Sequence, residues 1–128
     1  MASNASYVGT PKNGTCQLSV ANTNRDGTGT LGIVHTAGAG GARIDVLRIQ
    51  ATGTTTAGMI RLFLDVGGTT RLIGEVPVIA VTPSGTQPAW AVDYEFPRGL
   101  VMQANAVLKA GTHTAESFNL IPTLAGDF

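Results

Sequence analysis

Trp90-Ala91-Val92-Asp93-Tyr94-Glu95-Phe96 alternates without a slip: Trp90, Val92, Tyr94 and Phe96 point one way, and Ala91, Asp93 and Glu95 the other. A period of two is that of a strand with one face in a core. Pro97-Arg98-Gly99 then ends the run. Beyond it Leu100, Met102, Ala104, Ala106 and Leu108 recur at the same spacing until Gly111, which predicts a further strand. A last strand is expected near Ser117 to Leu124, with Phe118, Leu120 and Leu124 on one face.

Upstream, Ile60, Leu62, Leu64 and Val66 alternate with Met59, Arg61, Phe63 and Asp65. Gly67-Gly68 follows and reads as a type I′ hairpin turn, because paired glycines take positive φ without strain. The return strand is expected over Thr69 to Val81. Pro77 within it cannot donate a ladder hydrogen bond, so this strand belongs at a sheet edge or bends there. In Ala42 to Ala51 the apolar parity slips between Ile44/Val46 and Leu47/Ile49/Ala51, which predicts a bulge or a strand buried on both faces. Earlier still, Thr15 to Ala21 and Thr28 to Thr36 read as short strands around the polar turn cluster Asn22 to Gly27.

Met1 to Gly14 lacks periodicity and is expected to be a flexible arm outside a single domain of residues 15–128. About eight short strands with regular turn signals and no helical stretch predict an all-β antiparallel sandwich. We expect a jelly roll, although periodicity leaves other Greek-key connections open. The expected core comprises Ile60, Leu62, Leu64, Trp90, Val92, Tyr94, Leu100, Met102, Phe118 and Leu120.

The 128 residues carry 8 Lys+Arg against 8 Asp+Glu, only 12% charged, and the basic residues are scattered singly. A nucleic-acid partner, which needs a clustered basic stripe, is therefore not expected. Nor is a membrane partner, since no apolar run approaches the roughly 18 residues of a spanning helix. With a single cysteine and no apolar leader at Met1 to Ser6, we expect synthesis in a reducing cytoplasm.

Candidate chemistry is sparse. Cys16, Asp26 and His35 are the groups considered for a metal, which needs three or four converging ligands; no metal or cofactor is expected. His113 stands apart from them in sequence. Asp93 and Glu95, two apart on one strand face, have a glycosidase-like spacing of roughly 7 Å by strand rise, but read more simply as a solvated face. Thr82-Pro83-Ser84-Gly85 is a turn and not a nucleophile elbow. Gly38-Ala39-Gly40-Gly41 is glycine-rich, yet a strand follows where a phosphate loop needs a Lys and a helix. Arg43, Arg48, Arg61 and Arg71 are expected to pair across strands with Asp45, Asp65 and Glu75. No catalytic residue is expected, so the chain reads as no enzyme.

From Gly41-Ala42-Arg43-Ile44-Asp45 through Ala51-Thr52-Gly53-Thr54-Thr55-Thr56-Ala57-Gly58-Met59-Ile60-Arg61-Leu62-Phe63-Leu64, the sequence resembles a family of small structural proteins of tailed bacteriophages. The likeness continues in Val81-Thr82-Pro83-Ser84-Gly85, Gly99-Leu100 and Ala110-Gly111-Thr112-His113-Thr114-Ala115-Glu116-Ser117-Phe118-Asn119. The family is similar to jelly-roll cement, or decoration, proteins of icosahedral heads. The resemblance implies a virion protein on the capsid exterior that bridges neighbouring major capsid proteins, as a homo-oligomer such as a dimer or trimer, and opposes the pressure of packaged DNA. In the arm, Tyr7, Val8 and Pro11 are the candidate partner-binding residues. The alternative expectation is a tail or tail-fibre module that binds a host cell-surface receptor.

Overall fold

Strands form along most of the predicted runs, and their pairing is nested. A computed structural model describes residues 8–128, with strands β1 (Thr10–Pro11), β2 (Cys16–Leu18), β3 (Gly32–Thr36), β4 (Ala42–Ala51), β5 (Gly58–Val66), β6 (Thr69–Val78), β7 (Ala91–Met102), β8 (Val107–Thr112) and β9 (Phe118–Asp127). One sheet runs β1-β9-β4-β7 with β2 also on β9; the other runs β3-β8-β5-β6. The second strand therefore pairs with the ninth, the third with the eighth, the fourth with the seventh and the fifth with the sixth, all antiparallel. A long hairpin rolled up in this way is a jelly roll. No helix occurs among the described residues.

The core lies between the sheets, where Ile44, Leu47, Ile49, Ile60, Leu62, Leu108, Phe118 and Leu120 are fully buried. The parity slip in β4 is a bulge: the register with β7 shifts between Ile44 and Val46, which returns Leu47 and Ile49 to the core side. Gly67 and Gly68 both have positive φ, 60° and 86°, as the β5–β6 hairpin turn requires. Pro77 lies on β6, the outer edge of its sheet, where strand proline is tolerated.

Several expectations are corrected. Pro97-Arg98-Gly99 does not end β7; Arg98 and Gly99 take positive φ, 62° and 83°, and pairing resumes at Leu100 opposite Ile44. The apolar spacing from Leu100 to Leu108 is one parity but two strands, because the chain turns at 103–106 and passes from one sheet to the other. Gly111 lies within β8, and the return strand stops at Val78 rather than Val81. Leu64, Trp90, Val92, Tyr94 and Leu100 are half-buried and pack against the core from its margin. Trp90 meets Phe118 edge-on at 5.9 Å between ring centroids.

The arm boundary also moves. Thr10 and Pro11 pair with Asp127 and Gly126, the Lys12 amide donates to the Ala125 carbonyl, and Asn13 Nδ2 donates to the Pro122 carbonyl. Gly14 lies so close to the Val34 carbonyl that a Cβ there would collide with it. Residues 10–14 thus continue the β2 edge along β9, because backbone hydrogen bonds need no apolar periodicity to form.

Candidate functional site

The sequence-predicted chemical groups are dispersed by the fold. Cys16 is half-buried on β2, and burial pushes its thiol above the ordinary value. Asp26 is exposed in a turn, accepting from the Thr28 amide and hydroxyl. His35 is buried on β3, its Nε2 3.5 Å from Asp127 Oδ1. Among the described residues, no group of three His, Cys, Asp or Glu side chains is placed to hold a metal ion. Asp93 and Glu95 are exposed, and Asp93 accepts from Arg48 Nη1 at 3.3 Å. Ser84 Oγ accepts from the Thr86 and Gln87 amides, which makes it a turn-former. In the glycine run, the Gly41 amide donates to the Gly38 carbonyl and the Gly38 amide to Asp127. Those amides are spent inside the protein.

The expected charge pairing across strands is found for Arg61 and Glu75, and elsewhere the partners differ from those expected. Arg61 is directly opposite Glu75, with Nε 3.0 Å from Oε2, and Arg48 is directly opposite Asp93. Arg43 instead bonds Asp45 two residues along its own strand, at 2.9 Å, and Asp65 takes Lys109 at 2.8 Å.

Asp127 gathers one cluster at an end of the sandwich. Lys12 Nζ donates to Asp127 Oδ2 at 3.2 Å and to the Thr36 carbonyl at 2.8 Å, while the Gly38 amide donates to Oδ1. Burial pushes the Asp127 carboxyl up, but the Gly38 amide and the Lys12 ammonium outweigh it and hold it below the ordinary carboxylate value. His35 responds the other way: burial, helped by Lys12, keeps its imidazole below the ordinary 6.5 and therefore neutral. Neither ring nitrogen of His35 has a hydrogen-bond partner among the described residues. This cluster is a clasp joining residue 12 to β3 and β9.

The outer face of the β1-β9-β4-β7 sheet carries the candidate partner-binding residues. Pro11, Gly126, Arg43 and Val101 form one row across four strands, and residues directly opposite share a face. Val8 lies over Gly126. Val8 and Pro11 also line a shallow hollow with Asn13, Thr123, Leu124 and Ala125. Val101 is 64% exposed and Leu124 47%. Val8 and Pro11 are thus brought beside Leu124, which the period-two spacing places on one face with Phe118 and Leu120; Tyr7 lies outside the described residues. The signal missed was a second bulge, in β9: between the Leu47–Pro122 and Val46–Leu124 pairs Thr123 is an extra residue, which turns Leu124 away from the face of Leu120.

No protein-family model matches the chain, and no curated protein matches it in sequence.

Proposed function

We propose that the chain is a non-enzymatic virion structural protein, a decoration protein that binds the outer surface of an icosahedral phage head, bridges neighbouring major capsid proteins and strengthens the DNA-filled shell. The observation that carries this reading is the set of apolar residues Val8, Pro11, Leu124 and Val101 on the outer face of the nested sandwich, among which Arg43 and Asp45 pair with each other. Such a surface favours close contact with protein, since its charge is already neutralised and its apolar groups gain by leaving water. The sparse charge of the whole chain acts in the same direction. Many copies bound side by side on one shell turn a modest contact into a collective restraint. A dimer or trimer of the chain belongs to the same reading.

The test is titration of purified protein onto expanded, DNA-filled heads that lack it, followed by heating and measurement of DNA release. The proposal expects saturation at many copies per head and release at a higher temperature from coated heads. Leu124→Asp and Val101→Asp are expected to keep the fold and weaken binding. Saturation at a few copies per particle, or equal release temperatures, overturns it; binding to the host cell surface instead would establish the tail-module alternative.

A further inference from the structure

Arg61 is the most deeply buried cation described, and its charge is only partly matched. Its side chain is 4% exposed on the outer face of the β3-β8-β5-β6 sheet. Nε donates to Glu75 Oε2 at 3.0 Å, and Arg25 Nε donates to that same oxygen at 2.8 Å. Arg61 Nη1 lies 3.2 Å from Nδ1 of His113. A guanidinium only donates, so in this contact Nδ1 is the acceptor. Among the described residues this cluster therefore has two guanidiniums on one carboxylate oxygen, an excess of one positive charge. Glu75 is held below the ordinary carboxylate value chiefly by its bond from Arg25, then by Arg61.

Beside this excess is a hollow of about 270 Å³ lined by Arg25, Ala57, Gly58, Met59, Arg61 and His113. We propose that this hollow is a carboxylate-binding site that receives an acidic side chain of another polypeptide. One carboxylate carries the single charge the cluster lacks, whereas a phosphate dianion brings twice that. Ala57 and Met59 provide apolar contact for the methylene stem. Glu116, on the neighbouring turn, does not line the hollow; its oxygens accept from the Thr56 amide and hydroxyl and the Thr114 hydroxyl. A desolvated cation with a shared partner is costly, and a second carboxylate offsets that cost. A lone ion pair at a surface holds a small free acid weakly. A side chain delivered by a larger protein contact adds this pair to energy gained elsewhere, which favours a polypeptide source. The site stands independently of the capsid reading.

The experiment follows side-chain NMR signals of His113, Arg61 Nε–H and the Met59 methyl in the full chain while a blocked peptide, acetyl-Gly-Glu-Gly-amide, is added. Saturable shifts of all three are expected, absent with the Gln counterpart and with sodium chloride at equal ionic strength. Arg25→Gln, at an exposed position, should leave the fold intact and weaken binding about ten-fold, the scale of one charge-assisted hydrogen bond. The proposal is overturned if the Gln peptide or the salt reproduces the shifts, or if Arg25→Gln leaves the titration unchanged.

Discussion

His35 is the residue through which pH acts most directly on this fold. Its imidazole is buried, with Lys12 opposing a positive charge and Asp127, 3.5 Å from Nε2, only partly compensating. The folded-state value lies below the ordinary 6.5, so the unfolded chain binds the proton more readily. Stability is therefore complete above 6.5 and is lost progressively as pH falls from there toward the folded-state value. Urea denaturation at pH 8 and at pH 5 should show a lower midpoint at pH 5, and His35→Gln should flatten that difference. An unchanged slope in the variant would assign the pH dependence to other groups. Trp90 and Phe118 form a second comparison. Phe118 is fully buried, and Phe118→Ala should cost about 3 to 5 kcal/mol. Trp90 is half-buried at the margin of the core, and Trp90→Ala should cost about 2 kcal/mol, since part of its surface already meets water. Equilibrium unfolding measures both.

At the scale of elements, the connection from β2 to β3 acts as a cover. Arg25 reaches Glu75, Gly27 lies against Thr70, and Leu31 and Asn22 lie against Gly111. Asn22 organises this loop: Nδ2 donates to the Thr28 and Thr30 carbonyls, Oδ1 accepts from the Asn24 amide, and its own amide donates to the Thr112 carbonyl. On the outer face of the β3-β8-β5-β6 sheet, Phe63 is fully buried yet stands apart from the core between the sheets. Its neighbour across the ladder is Lys109, on the outer face. Phe63→Ala should therefore cost about 3 to 5 kcal/mol and speed hydrogen exchange in residues 22–31 more than in β4 or β9. Equal acceleration everywhere would show that the loop and the core unfold as one unit.

For the whole molecule, the N-terminal edge joins fold and surface. Residues 10–14 bond along β9, and Lys12 closes the clasp on Asp127 and Thr36. Deleting residues 1–11 should thus do two things. It removes the β1 ladder and uncovers Gly126, so the free protein should lose about 1 to 3 kcal/mol in urea denaturation. It also removes Val8 and Pro11 from the outer-face patch, so head binding should weaken at temperatures where the truncated chain is folded. A truncated chain of unchanged stability would return residues 10–11 to the role of a free arm.

Alternation from Trp90 to Phe96 and from Met59 to Val66, with Gly67-Gly68 between opposed runs, was enough to determine an all-β sandwich, because strand period and turn geometry are local properties. The slipped parity of β4 likewise announced its bulge. Local pattern was silent wherever a distant segment supplied the partner. Leu100 to Leu108 kept one parity while crossing between sheets, since an inward-facing residue is inward-facing in either. Arg61 read as part of the face away from the core because Arg25, which shares its carboxylate partner, lies far earlier in the chain. Thr10 and Pro11 showed no periodicity because their contacts are made by backbone. Which edges met, which face was covered and which charges were left sharing one carboxylate were decided only when the chain rolled up, since those quantities depend on contacts between residues far apart in sequence.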